Sequence, residues 1–107
     1  MDDLEITPAE AKQRLERGEG VLLVDVREPW EFEICRLAGA KLIPVGTIPA
    51  NLQMLDTDDE VICYCHHGMR SLDVVNWLRQ QGISTAKSLA GGIDRWSLEI
   101  DPRVPRY

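Results

Sequence analysis

Nowhere in the 107 residues does an apolar run approach the roughly 20 residues that a bilayer-spanning helix needs. The opening residues, Met1-Asp2-Asp3-Leu4-Glu5, carry neither the basic segment nor the apolar core of a signal peptide. Low-complexity tracts and internal repeats are missing too, which argues against a disordered chain and against a solenoid. Basic residues are in short supply: 12 Lys and Arg stand against 18 Asp and Glu, for a net charge of −6. They are scattered, whereas a nucleic-acid face needs them clustered, so neither a nucleic acid nor a membrane is expected as a partner. Three cysteines cannot all pair within one chain. Free thiols in a reducing, cytoplasmic setting are the expectation.

What is present suits an ordinary folded domain. The hydrophobic share is 44% and the charged share 28%. A chain of this length hides roughly 65% of the surface its unfolded form exposes, enough for one core. A single domain over residues 1–107 is expected, with 97–107 as a C-terminal tail.

Thr7-Pro8-Ala9-Glu10 predicts a helix start, with Thr7 as N-cap, Pro8 at the first helical position and Glu10 closing a capping box; Gly18 would end the helix. Val21-Leu22-Leu23-Val24-Asp25-Val26 is a near-continuous apolar run, the pattern of a parallel strand covered on both faces. A turn or short helix through Pro29-Trp30-Glu31-Phe32, a weak strand near Lys41-Leu42-Ile43 and a short helix from Pro49 to Met54 follow. Val61 to Tyr64 is the second buried strand. Arg70 to Gln81 reads as a helix with Leu72, Val75 and Leu78 at core spacing and Gly82 as C-cap. Thr85 to Leu89 can form a last strand, Gly91-Gly92 a tight turn, and Ile93 to Leu98 a final helical turn or two. Such alternation predicts an α/β fold with a parallel sheet, whose ligands bind at the carboxyl ends of the strands.

Cys65 stands where the Val61–Tyr64 strand hands over to a helix N-terminus. The N–H groups of a short loop opening a helix converge on one point, and the helix dipole adds partial positive charge there. A thiol facing that point should ionise readily, with its pKa drawn below the free value of about 8.5. Cys65 is therefore the candidate nucleophile. Val26-Arg27 ends the other strong strand, so two segments converge on one place. Asp25 and Arg27 share a strand face by alternation, which favours a structural ion pair over a catalytic role.

The blocks Asp25-Val26-Arg27-Glu28-Pro29-Trp30-Glu31-Phe32, Tyr64-Cys65-His66-His67-Gly68-Met69-Arg70-Ser71 and Leu89-Ala90-Gly91-Gly92-Ile93-Asp94-Arg95-Trp96 together resemble a single-domain rhodanese. That resemblance implies a three-layer rhodanese-like domain, with a mostly parallel sheet of about five short strands between helices. It also implies that Cys65 carries a persulfide and that His66, His67, Gly68, Met69 and Arg70 form the cradle around the sulfur. The implied activity is sulfane-sulfur transfer from a donor such as thiosulfate to cyanide, a thiol or a protein. No cofactor or metal is called for, and the implied acceptor partners include thioredoxin or a sulfur carrier. Arg36 stands where many relatives have a histidine. The tail Asp101 to Tyr107 resembles the end of rhodanese domains fused to enzymes that activate sulfur carriers.

Other readings bear on the same residues. A cysteine phosphatase or arsenate reductase also uses a thiolate in an anion loop ending in Arg, but generally with five intervening residues; His66 to Met69 supply four, a ring better matched to one sulfur atom. Cys63, Cys65, His66 and His67 have the wrong spacing for a structural zinc site. A non-catalytic interaction module with the same fold is a third reading. His66 and His67 read equally as solvated loop residues or as ligands of a donor's oxyanion. Cys63 reads as a core residue and Cys35 as inert or as a resolving thiol. Trp77 and Trp96 read as core aromatics and Trp30 as part of the pocket rim.

Overall fold

The two apolar runs form the longest strands, β2 (Val21–Asp25) and β4 (Glu60–Tyr64), of a five-stranded sheet. They lie side by side in a computed structural model that describes residues 3–107. The strands β1 (Glu5–Ile6), β3 (Lys41–Leu42) and β5 (Lys87–Leu89) complete it in the order β1-β5-β4-β2-β3, and every pairing is parallel. The connecting helices are α1 (Pro8–Glu16), α2 (Pro29–Ile34), α3 (Leu52–Leu55), α4 (Met69–Gln80) and α5 (Gly92–Glu99).

Side-chain alternation along the strands divides the interior into two cores. Val24, Val61, Cys63 and Cys65 face one way and pack with Leu55 of α3 and Val74, Val75 and Leu78 of α4. Leu23, Ile62 and Tyr64 face the other way, against Ala11 of α1 and Ile93 and Trp96 of α5. Both faces of the central strands are therefore dry, which is why their sequences are nearly all apolar. Cys63 is a core residue, and Cys35 lies in the core on the opposite face from Cys65.

Several boundaries differ from the sequence expectation, each for a local reason. β1 is unforeseen, because two residues carry no period; it forms by pairing with β5. The predicted strand over Thr85 to Leu89 begins only at Lys87, and the short helix expected from Pro49 is a 3-10 turn, Pro49–Asn51, ahead of α3. In α4 the buried face is Ser71, Val74, Val75 and Leu78, and Leu72 is only partly buried. Thr7 caps α1 through the Glu10 N–H at 3.2 Å, while its hydroxyl approaches the Glu10 carboxylate at 3.4 Å. The reciprocal capping box is found instead on α2, between Glu28 and Glu31. Residues 97–99, expected in the tail, belong to α5, and the irregular segment starts at Ile100.

Asp25 and Arg27 are fully buried and paired through several contacts. The Asp25 carboxylate accepts from Arg27 Nε at 2.9 Å, Arg27 Nη2 at 2.7 Å and the Arg27 backbone N–H at 2.9 Å. Arg27 also donates to the Cys35 carbonyl at 2.6 Å. Removing one charge of such a buried pair strands the other, at a cost of about 3–5 kcal/mol. Asp25→Asn is thus expected to lower the melting temperature sharply in thermal denaturation while leaving Cys65 reactivity per folded molecule near wild type.

Candidate functional site

The β4 strand ends at Tyr64 and the chain turns at once into α4, so Cys65 lies at the carboxyl end of a central strand and at the foot of a 12-residue helix. Its side chain is almost wholly buried, with 1% exposure. Cys65 Sγ accepts hydrogen bonds from the backbone N–H groups of Gly68 at 3.1 Å and Ser71 at 3.4 Å, and lies 3.5 Å from the Ser71 hydroxyl. Gly68 adopts φ of 100°, a left-handed conformation that glycine takes without penalty. Two backbone dipoles, a hydroxyl and a helix N-terminus thus surround one atom and favour negative charge on it.

The loop is held from below by α5. Ile93 N–H donates to the Cys65 carbonyl at 2.9 Å and Asp94 N–H to the His66 carbonyl at 3.1 Å, so the first turn of α5 binds the loop through its carbonyls. This contact requires Gly92, where a Cβ would meet the Cys65 and His66 carbonyl oxygens at 2.5 Å and where φ is +62°.

The predicted cradle residues divide by role. Gly68 touches the sulfur. Met69 opens α4 and is 78% exposed at the mouth. Arg70 does not turn toward the thiol; its guanidinium forms a forked pair with Glu31, at 2.7 and 3.0 Å. Glu31 is the residue that inspection of the sequence passed over, together with Tyr107. The Tyr107 hydroxyl donates to Glu31 at 2.6 Å and accepts from Arg27 Nη1 at 2.8 Å, linking the pair to the buried Asp25–Arg27 couple. The Glu28–Glu31 spacing of a capping box was a usable signal for Glu31; nothing local marks Tyr107, 76 residues away from it. Ser71, which follows the predicted cradle, was also missed, although its place in the first turn of α4 puts its N–H on the loop.

His66 is sandwiched, stacked on the Tyr107 ring at 3.9 Å and 8° and on His67 at 3.9 Å and 26°. Burial, followed by the neighbouring His67, lowers its pKa. His67 is exposed, 4.0 Å from Asp94. Trp30 meets Tyr107 edge-on at 6.1 Å and is 60% exposed, forming rim. Trp96 is buried, and Trp77 packs half-buried on the first core. Arg36 is exposed over the Phe32 ring at 4.6 Å and helps line a cavity of about 620 Å³ with Lys12, Trp96 and Arg103, which does not include Cys65. Among the described residues the one set that could gather around a metal ion is His66, His67 and Asp94, whose ligand atoms lie within 4.8 Å of one another. Asp94 is already engaged by Arg106 at 2.8 Å.

A doubly covered parallel α/β sheet with a cysteine loop at the foot of a helix defines the class. The rhodanese-like domain model matches residues 7–99, and the chain belongs to that family. It is 36% identical over 103 residues to the putative sulfurtransferase YtwF of Bacillus subtilis, covering 96% of this chain and 99% of that protein. It is 40% identical over 89 residues to the chloroplastic Rhodanese-like/PpiC domain-containing protein 12 of Arabidopsis thaliana; the match takes in 79% of this chain but only 30% of that longer protein. The structure of human single-domain sulfurtransferase TSTD1 superimposes with a TM-score of 0.79 at 26% identity, covering 92% of this chain and 98% of that one.

Two outcomes follow for the support of the loop. Burial alone would raise the Glu31 pKa, but the Arg70 fork, the Glu28 N–H and the Tyr107 hydroxyl outweigh it and hold the carboxyl at about 2, below its ordinary 4.5. Its stabilising contribution is therefore complete above about pH 4.5 and lost as the pH falls toward about 2. Glu31→Gln should be less stable than wild type at neutral pH, and the two stability curves should converge on acidification to about pH 2 in circular-dichroism melts. Gly92→Ala should cost about 1–3 kcal/mol through its left-handed backbone alone, and more through the carbonyl clash. It should also alter the iodoacetamide reactivity of Cys65, because the carbonyl it strikes is that of Cys65 itself.

Proposed function

We propose that the protein is a sulfurtransferase that carries sulfane sulfur as a persulfide on Cys65. The observation that carries this reading is the small cradle: one sulfur atom, nearly buried, ringed by the Gly68 and Ser71 N–H groups and the Ser71 hydroxyl at the start of α4. The naming of YtwF and of TSTD1 as sulfurtransferases supports it.

In the first half-reaction the Cys65 thiolate attacks the outer sulfur of a donor. With thiosulfate, a new S–S bond forms on Cys65 as the donor's S–S bond breaks, and sulfite leaves with the bonding pair. In the second, a nucleophilic acceptor attacks the outer sulfur of the persulfide, and the electron pair of the broken S–S bond returns to Cys65 as thiolate. Cyanide would leave as thiocyanate and a thiol as a new persulfide. This is covalent ping-pong catalysis. The preorganised N–H groups face Sγ, which carries the negative charge before a donor is attacked and regains it when the persulfide is discharged. Small thiols, thioredoxin or a sulfur-carrier protein would serve as acceptors, in a reducing cytoplasm that keeps Cys65 free.

Arg70 favours sulfur over phosphorus chemistry. An arginine at the end of a phosphatase loop must grip the oxyanion, whereas here both of its terminal nitrogens are committed to Glu31. Intact-mass analysis after incubation with thiosulfate or an inorganic polysulfide should show one added sulfur on the wild type, mapped to Cys65, and none on Cys65→Ser. Absence of added sulfur with both donors, alongside hydrolysis of a phosphate ester, would overturn the reading.

A further inference from the structure

Beneath the Cys65 loop lies a pair of buried hydroxyls, and neither is accounted for by the fold. Ser88 stands opposite Cys63 in the β5–β4 register, so alternation points both side chains toward α4. There the Ser88 hydroxyl meets that of Ser71 at 2.7 Å, and both residues are 0% exposed. Ser71 Oγ in turn lies 3.5 Å from Cys65 Sγ and 3.3 Å from the Gly68 carbonyl.

The proton inventory orders this chain. Each hydroxyl has one proton to give and two lone pairs to receive. Among the described residues Ser71 is the one partner of the Ser88 hydroxyl. If Ser71 donated to Ser88, the Ser88 proton would be left buried and unpaired, which is costly. Ser88 therefore donates and Ser71 accepts. The Ser71 proton is then free for one of two acceptors, the Gly68 carbonyl or Cys65 Sγ. A neutral thiol can donate its own proton to Ser71 while Ser71 serves Gly68. A thiolate or persulfide sulfur can only accept, so the Ser71 proton turns to it.

We propose that Ser88 is a positioning residue for the Cys65 sulfur, donating to the Ser71 hydroxyl so that the Ser71 proton faces Sγ whenever that sulfur is negative. Donation by Ser88 also polarises the Ser71 O–H and makes it a stronger donor. No proton passes along the pair. The thiol proton leaves to solvent, and the hydroxyls only rotate. The inference rests on Cys65 being the reacting sulfur of the proposed function, but not on the donor or acceptor.

The test is the pH profile of Cys65 alkylation by iodoacetamide, located by peptide mapping, in wild type, Ser71→Ala, Ser88→Ala and the double variant. Arg70 on α4 and Cys63 on β4 act electrostatically on Cys65, His66 adjoins it in the loop, and all three remain in every variant. Ser71→Ala should raise the half-plateau pH by about one unit, the size of a charge-assisted hydrogen bond, and Ser88→Ala by about half of that. In the Ser71→Ala background, Ser88→Ala should add nothing. An equal effect of Ser88→Ala in both backgrounds, or no effect in either, would overturn the proposal. Ser88→Thr and Ser88→Val give a second comparison at matched volume, with and without the hydroxyl; the profile should stay near wild type with Thr and shift with Val, and coincident profiles would count against the relay. Because alkylation needs no sulfur donor, a shifted profile in a protein that never gains sulfur would retain the relay and reject the sulfurtransferase reading.

Discussion

The Glu31 carboxylate is the point on which the top of the molecule depends. Four donors from three stretches of chain reach it: the two terminal nitrogens of Arg70 on α4, the Tyr107 hydroxyl and the Glu28 N–H at the start of α2. Through Tyr107 it is also joined to Arg27 and hence to Asp25 on β2. A carboxylate buried to this degree is costly unless its lone pairs are satisfied, and here they are. The same bonds fix where α2, α4 and the segment after α5 lie relative to the carboxyl ends of β2 and β4. The loop around Cys65 runs directly into α4's first turn, so its position follows from theirs.

The sheet supplies the complementary constraint from below. Strict alternation along β4 directs Cys63 and Cys65 to the α4 face and Tyr64 to the other. On that other face the Tyr64 hydroxyl accepts from the Leu37 N–H at 3.1 Å, securing the stretch that follows α2. A register slip of one residue would exchange the two faces, burying the tyrosine under α4 and turning the thiol toward α5. The approach of Gly92 to the Cys65 and His66 carbonyls closes the remaining side. The loop is thereby bounded by the sheet, by α5 and by the Glu31 network, and little of its geometry is left to the loop itself.

This division explains what could be read from the residues in order. β2 and β4 were legible because burial on both faces leaves a continuous apolar run, and the site was legible because a cysteine followed by a glycine-bearing loop and a helix is local information. The family resemblance rested on three such local blocks. Contacts made across the sheet or across the chain had no local signature. Ser71 and Ser88 become neighbours only once the β4–β5 register is known, since their side chains are 17 positions apart and neither stands out among apolar neighbours. The Tyr107–Glu31 bond spans 76 positions. Leu72 was misassigned because helical spacing alone cannot say which of two adjacent apolar stripes faces the sheet, and the stripe that does includes a serine.

Withdrawal of Arg70 into the Glu31 pair bears on the chemistry of the thiol. A full positive charge set directly against a thiolate stabilises it, but nucleophilicity falls as basicity falls, so a strongly stabilised thiolate attacks a donor more slowly even though it leaves a persulfide more readily. Sulfur transfer in both directions needs an intermediate degree of stabilisation. Backbone N–H groups, a helix N-terminus and a hydroxyl provide partial charges rather than a unit charge, and in the proposed reaction they would stay in place as the outer sulfur arrives and leaves. The arginine is kept close enough to order the loop and is neutralised where it stands, so the cradle is shaped by a cation without being dominated by one.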